Sequence, residues 1–231
     1  MKTLRTKFTQ SDVASVAVVG PKVSVIVPTY NRTQLLMERA LPSILAQTHR
    51  ELDIHVVGDD TELATAEAIH VLGDPRVRFT NLPRQAYPED PGQRWCVLGL
   101  EARNYGLNMA IGSFVACLND DDAWEPDMIE ILVEHLDRWD LYLGRWDFVY
   151  GVSKYHWPNH HRQQAGKWPP GMGAFCDGAW LMRHDLGYRY DPGCIERGLP
   201  EDGDLWTRMY ADGVRFGFVD RLVHHYYPNP R

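Results

Sequence analysis

The sequence is short of the features that mark several protein classes. Its four cysteines, Cys96, Cys117, Cys176 and Cys194, lie far apart and form no CxxC pair suited to zinc or redox chemistry. They read as reduced thiols of a cytosolic protein. No window approaches the roughly 18 consecutive apolar residues needed to span a bilayer. The basic start Met1-Lys2-Thr3-Leu4-Arg5 lacks the long apolar run and small-residue cleavage site of a secretory signal. Positive charge is in deficit, with 24 Lys plus Arg against 31 Asp plus Glu, a formal net charge of -7. Its basic residues are scattered, which argues against a nucleic-acid partner. Internal repeats and low-complexity linkers are lacking too. What is present is 231 residues with an ordinary apolar fraction of 44%, enough to bury a full core in one domain.

From Lys22 onward the chain alternates two periodicities. Val23 to Val27 is a β-branched run of strand length, expected to stop at Pro28. Gln34 to Gln47 repeats apolar residues at helical spacing, with Pro42 expected to bend or interrupt it. Strand Leu52 to Val57, helix Glu62 to Val71, strand Val77 to Leu82, helix Glu101 to Ala110 and strand Ser113 to Leu118 follow. Pro126 then opens an amphipathic helix. This rhythm predicts an α/β, Rossmann-like sheet of mostly parallel strands flanked by helices. The second half is less regular. Phe148 to Tyr150 and Ala174 to Met182 suggest strands, Tyr155 to Met172 a loop, Asp204 to Tyr210 a helix, and Arg215 to Val219 and Arg221 to Tyr227 short strands. The expected organisation is one domain over 1–231. It has a loosely held arm (1–21), a ligand-binding half (22–126) and a smaller β region that shapes the rest of the site (127–231).

In open α/β sheets, ligands sit beyond the carboxyl ends of the strands. Three strands deliver polar residues there: Thr29-Tyr30-Asn31, Asp59-Asp60, and Asn119-Asp120-Asp121-Asp122. Asn and Asp also serve as plain turn formers at such places. Three adjacent carboxylates after a buried strand repel one another, and a divalent cation relieves that cost. Few hard oxygen ligands suit magnesium or manganese, with phosphate and water completing the shell. Glu201-Asp202 is a second acidic pair; Asp202 suits either a helix cap or a general base. His224-His225 falls on the last predicted strand, where alternation sends the two rings to opposite faces.

Taken together these residues resemble the family 2 glycosyltransferases of the GT-A fold, including the spore-coat type. Val23 to Arg32 (VSVIVPTYNR), His55 to Thr61 (HVVGDDT), Ala102 to Leu107 (ARNYGL), Leu118 to Pro126 (LNDDDAWEP) and Pro200 to Arg208 (PEDGDLWTR) follow the order of that family's segments. The resemblance implies that Pro28, Thr29, Tyr30, Asp59, Arg103 and Asp120 bind the nucleotide, and that Asp121 holds Mn2+ or Mg2+ with His225 as a further ligand. It also implies that Asp202 is the catalytic base, with Glu201 beside it. Gly58 and Asn119 stand where many relatives carry Asp. The implied reaction is metal-dependent transfer, with inversion, from a nucleoside diphosphate sugar, UDP-sugar by preference. The acceptor hydroxyl belongs to a glycan, lipid-linked or small-molecule acceptor. The implied location is cytoplasmic or at the inner membrane face. A retaining transferase and a non-catalytic nucleotide-sugar-binding subunit remain open alternatives. A nucleotidyltransferase is disfavoured because the loop after the first strand has no glycine. Trp157 and Trp168 are placed in an acceptor-side loop, Trp146 and Trp180 in the core.

Overall fold

Strand formation begins where β-branching predicts it, but β1 (Val23–Thr29) runs through Pro28 rather than stopping there. Pairing of β1 with β4 has already ended at Ile26↔Cys117, while pairing with β2 continues to Thr29↔Gly58. A residue without an N–H is tolerated where one neighbour has fallen away. The computed structural model describes residues 20–138, 144–157, 160–164 and 175–228; the expected arm therefore lies mostly outside the described residues, as do Trp168 and residues 158–159 and 165–172 of the expected loop.

Residues 33–45 form α1, helical throughout, with a π turn at Leu36–Ala40 in which the Leu41 N–H donates to Leu36 O. Pro42 cannot donate to the carbonyl four residues back, and a widened turn just before it absorbs the fault. Next come β2 (Leu52–Asp59), α2 (Leu63–Leu72), β3 (Val77–Leu82), α3 (Pro91–Trp95), α4 (Leu100–Met109) and β4 (Phe114–Cys117). The short β5 (Ala123–Trp124) closes the first half and α5 (Met128–Asp137) opens the second.

The second half departs more from expectation. β6 (Phe148–Trp157) and β7 (His160–Gln164) form an antiparallel pair where a loop was expected. β8 (Trp180–Arg183) is shorter than predicted. α6 (Glu201–Ala211) starts three residues early, on the acidic pair itself. The two short strands expected after Arg215 are one irregular strand, β9 (Phe216–Tyr226), whose register with β6 shifts between Tyr150 and Ser153.

Among the described residues nine strands make one sheet in the order β3-β2-β1-β4-β8-β6-β9-β5, with β7 beside β6. β1, β2, β3, β4, β6 and β9 point the same way, so the sheet is mostly parallel. β1, β2 and β4 are buried along their whole length, as strands covered on both faces must be. Val23, Val25 and Val27 face a core with Leu36, Ile44 and Leu132. Ile26, Val115 and Cys117 face a second core with Leu107, Phe148, Trp180 and Trp206. In that core the Trp180 and Trp206 rings meet edge to face at 5.2 Å, a preferred aromatic arrangement.

Candidate functional site

The chain leaves β1 for β2 and β3 on one side, then returns to β4 on the other. That reversal, with β1 and β4 parting beyond Ile26 and Cys117, opens a crevice at their carboxyl ends, the expected ligand position. Asn31 turns the chain at the crevice edge in the left-handed region (φ 50°), which Asn tolerates better than most residues. Its amide Oδ1 accepts from the Glu62 N–H at 2.8 Å, and its own N–H donates to Thr61 Oγ1 at 2.8 Å. The turn presents Tyr30 and Arg32, on either side of Asn31, to one cleft. Tyr30 is 45% exposed, and the Arg84 guanidinium lies 4.2 Å from its ring centre. Asp59, from the end of β2, accepts from the Tyr87 hydroxyl at 2.6 Å and the Gln85 N–H at 3.1 Å, with Arg84 at 3.4 Å.

The acidic turn after β4 divides its side chains between two environments. Asp120 accepts from Thr29 Oγ1 at 2.8 Å, and Arg32 Nη1 bridges Asp120 at 3.1 Å and Asp121 at 2.9 Å. Asp122 turns inward, accepting from the Tyr227 N–H at 2.9 Å and from Asn119 Nδ2 at 3.2 Å. Burial, followed by the charges of Asp122 and Asp120, pushes the Asp121 carboxyl up to about 6 against the pull of Arg32. Burial raises Asp120 as well, opposed by Arg32 and Thr29. Gln47 fastens the far end of the turn, its Nε2 donating to Glu125 O at 2.7 Å and its Oε1 accepting from the Ile129 N–H at 3.0 Å.

Arg103, from α4, is buried and gathers four acceptors. Nη1 donates to Leu98 O at 2.8 Å and lies 3.3 Å from Glu201 Oε1. Nη2 donates to Asn119 Oδ1 at 2.8 Å and Asp177 Oδ2 at 3.0 Å. Burial disfavours its charge, but Asp177 and Glu201 outweigh that and hold its pKa above the ordinary value. Asp177 also accepts from Trp180 Nε1 at 3.0 Å. Glu201 and Asp202 occupy the first turn of α6, where negative charge suits the helix dipole. Asp202 is not the cap: Pro200 holds that position, and Asp202 Oδ1 accepts from the adjacent Gly203 N–H at 2.6 Å. Burial raises Glu201 to about 8, opposed by Arg103 and reinforced by Asp202 and Asp177. Burial and then Asp177 raise Asp202 to about 6. The Glu201 N–H donates to Cys96 O at 2.9 Å, tying α6 to the segment between α3 and α4.

The two histidines separate as strand alternation requires. His224 is fully buried, with Nδ1 3.1 Å from Ser153 Oγ and Nε2 3.4 Å from Asp122. His225 puts Nε2 2.6 Å from Glu125 Oε1 and Nδ1 2.8 Å from His156 Nε2. Both of its ring nitrogens are thus engaged away from Asp121. Among the described residues no group of three or more His, Cys, Asp or Glu side chains is arranged to hold a metal ion. An all-protein cage is therefore a poor description. A cation held by one or two carboxylates and completed by phosphate oxygens and water is a good one. Asp121, its proton affinity raised by burial and then by Asp122 and Asp120, is the carboxylate that a positive charge beside it would stabilise.

Pro28, Thr29, Tyr30, Asp59, Arg103, Asp120, Asp121, Glu201 and Asp202 all line one cleft of about 610 Å³; His225 does not. Arg32, Arg84, Tyr87, Trp95 and Asp177 line it too, and the sequence reading assigned none of them a role. Asp177 stands in a Cys-Asp-Gly stretch that reads as an ordinary turn. Arg84 and Tyr87 lie in a polar loop without periodicity. Arg32 was the recoverable one, since it closes the VPTYNR segment.

The model of the family described as Glycosyl transferase family 2 matches residues 24–88 and 99–191. The GalNAc(5)-diNAcBac-PP-undecaprenol beta-1,3-glucosyltransferase of Campylobacter jejuni is 37% identical over 102 residues, which are 44% of this chain and 30% of that protein. Among solved structures, S. aureus TarS 1-349 in complex with UDP-GlcNAc aligns with a TM-score of 0.67 at 18% identity, over 91% of this chain and 59% of that one. The mannosyltransferase PcManGT from Pyrobaculum calidifontis, in complex with GDP-Man and Mn2+, gives 0.64 at 18% identity, over 93% of this chain and 59% of that one. The chain spans less than two thirds of each of these proteins, and at such identities the structural likeness speaks for the fold. The order of strands, the cleft at the β1–β4 reversal and the family match agree: the chain has the GT-A fold and belongs to glycosyl transferase family 2.

Proposed function

We propose that the chain transfers a sugar, with inversion, from a nucleoside diphosphate sugar to an acceptor hydroxyl, with UDP as the nucleotide and a divalent cation as cofactor. The observation that carries this reading is the convergence of two strand-end clusters and the first turn of α6 on one cleft. Tyr30 offers an exposed aromatic face for the base, and Asp59 an oriented carboxylate for its polar edge. Thr29 and Arg32 hold Asp120 and Asp121 at the crevice. When bound, the cation supplies positive charge against the diphosphate. Asp121 is the residue that would hold it; His225 is not included, because Glu125 and His156 engage its ring. Arg103 fixes Glu201 at the head of α6, and Asp202 takes the proton of the attacking hydroxyl. No covalent intermediate on the protein is required.

Calorimetric titration with UDP, with and without MnCl2, tests the binding half. Joint binding is expected, and Tyr30→Ala should weaken UDP roughly 10- to 100-fold, as loss of a base-stacking face does, with folding unchanged. Asp202→Asn should lower turnover by about 10²- to 10⁴-fold, the usual worth of a general base, while UDP affinity holds. Undiminished turnover in that variant, or a product of retained anomeric configuration by NMR, overturns the mechanism. UDP binding without any turnover identifies a binding subunit instead.

A further inference from the structure

Arg32 stands out among the cleft residues because its own environment and that of its partners differ. Its side chain is 44% exposed, yet the two carboxylates it meets are 5% and 11% exposed. It reaches both through the single nitrogen Nη1. Arg32 occupies the N-cap position before α1 (φ -128°, ψ 37°), where its carbonyl accepts from the Leu36 N–H at 3.0 Å, so its backbone is anchored and only its side chain is free to exchange partners. Asp120 has a second partner in Thr29. The Asp121 carboxylate is pressed by two like charges, which Arg32 opposes, while Arg39 Nη1 donates to the Asp121 backbone oxygen.

A divalent cation and this guanidinium make competing claims on Asp121. Both need the carboxylate oxygens, and a cation seated there repels a guanidinium whose Nη1 is 2.9 Å from Asp121 Oδ2. The acidic turn therefore needs Arg32 most when no cation is bound, and tolerates it least when one is. A displaced guanidinium lining the same cleft finds its natural acceptor in a diphosphate, which its fork fits well. We infer that Arg32 is an exchangeable counter-ion: it neutralises Asp120 and Asp121 until a divalent cation takes Asp121, and then turns to the donor's diphosphate. The inference rests on the nucleoside diphosphate reading of the cleft. Its consequence is thermodynamic coupling, in which cation and nucleotide each release Arg32 for the benefit of the other.

The test is calorimetry with MnCl2 alone, UDP alone and UDP at saturating MnCl2, on the wild type and Arg32→Gln, with free Mn2+ followed independently by electron paramagnetic resonance. Arg32→Gln should bind Mn2+ alone about 10-fold more tightly and UDP in the presence of Mn2+ about 10-fold less tightly, within the usual range of coupling between sites. The mutual enhancement of the two ligands should shrink accordingly. Arg32→Lys, which keeps the charge but not the fork, should fall between the two. Unchanged or weaker binding of Mn2+ alone in Arg32→Gln, with an unchanged melting temperature, overturns the inference and leaves Arg32 a static strut. If Arg32→Gln melts lower, Arg32→Lys decides: Mn2+ binding alone no tighter than in the wild type overturns it equally. A wild-type protein that binds neither UDP nor Mn2+ defeats the nucleotide reading itself, and the inference with it.

Discussion

Asp202 and Glu201 are neighbours on one helical turn, yet their proton affinities are pushed to different heights, about 6 and about 8. Carboxylates whose environments separate them in this way can take different parts in one reaction. The larger rise at Glu201 leaves Asp202 the more readily ionised of the two, which suits it to the proposed role of accepting a substrate proton. The sign follows directly. A base with a raised pKa is protonated below it, so kcat/KM is expected to climb as pH rises through about 6 and to level off above. Asp177 contributes to that elevation by repulsion. Asp177→Asn should therefore move the rising limb to lower pH, as a pH–rate profile would show. A limb that stays in place would make Asp177 a purely structural partner of Arg103 and Trp180. Asp177 was illegible in the sequence because a lone acid before glycine has the spelling of a turn; only folding brings it to Arg103.

At the scale of elements, the interior strands of the first half were the most legible. β1, β2 and β4 announce themselves as apolar runs because both of their faces are covered. β6 beyond Tyr150 and β7 do not: Ser153 to Gln164 is mostly polar and carries no alternation, so strand pairing there is fixed by neighbours rather than by pattern. The early start of α6 was hidden by Pro200, which reads as a break but here precedes the first turn. Packing between elements is tight where α4 crosses β1. A Cβ on Gly106 would lie 2.5 Å from Ile26 Cγ2 and 2.8 Å from its Cγ1. Gly106→Ala is expected to cost about 1–3 kcal/mol, as overpacking of a core does, read as a lower urea midpoint. An unchanged midpoint would mean that α4 can lift off the sheet.

Across the whole molecule, the motif order gave the cleft its address, but not the bonds that join its two sides. Those bonds converge on Arg103, which reaches Asn119 in the first half and Asp177 and Glu201 in the second. Removing one partner of a buried ionic cluster strands the others, typically at about 3–5 kcal/mol. Arg103→Leu should lose stability on that scale at pH 8. The loss should shrink as pH falls, because protonation discharges the carboxylates left without a counter-ion. Denaturant melts at pH 5 and pH 8 measure the difference, and an equal loss at both would remove the electrostatic explanation. The setting of His225 is a whole-molecule matter as well: β9 pairs with β5, and that pairing brings His225 to Glu125.

Asn119 is the departure that the sequence resemblance singled out, an amide where the resemblance implies Asp. Its amide takes a hydrogen bond from Arg103 with one end and gives one to Asp122 with the other. A carboxylate has nothing to give. Aspartate at 119 could still receive the guanidinium, but it would set two anions face to face and cut the strap to Asp122, so in this chain the apparent defect is the piece that fits.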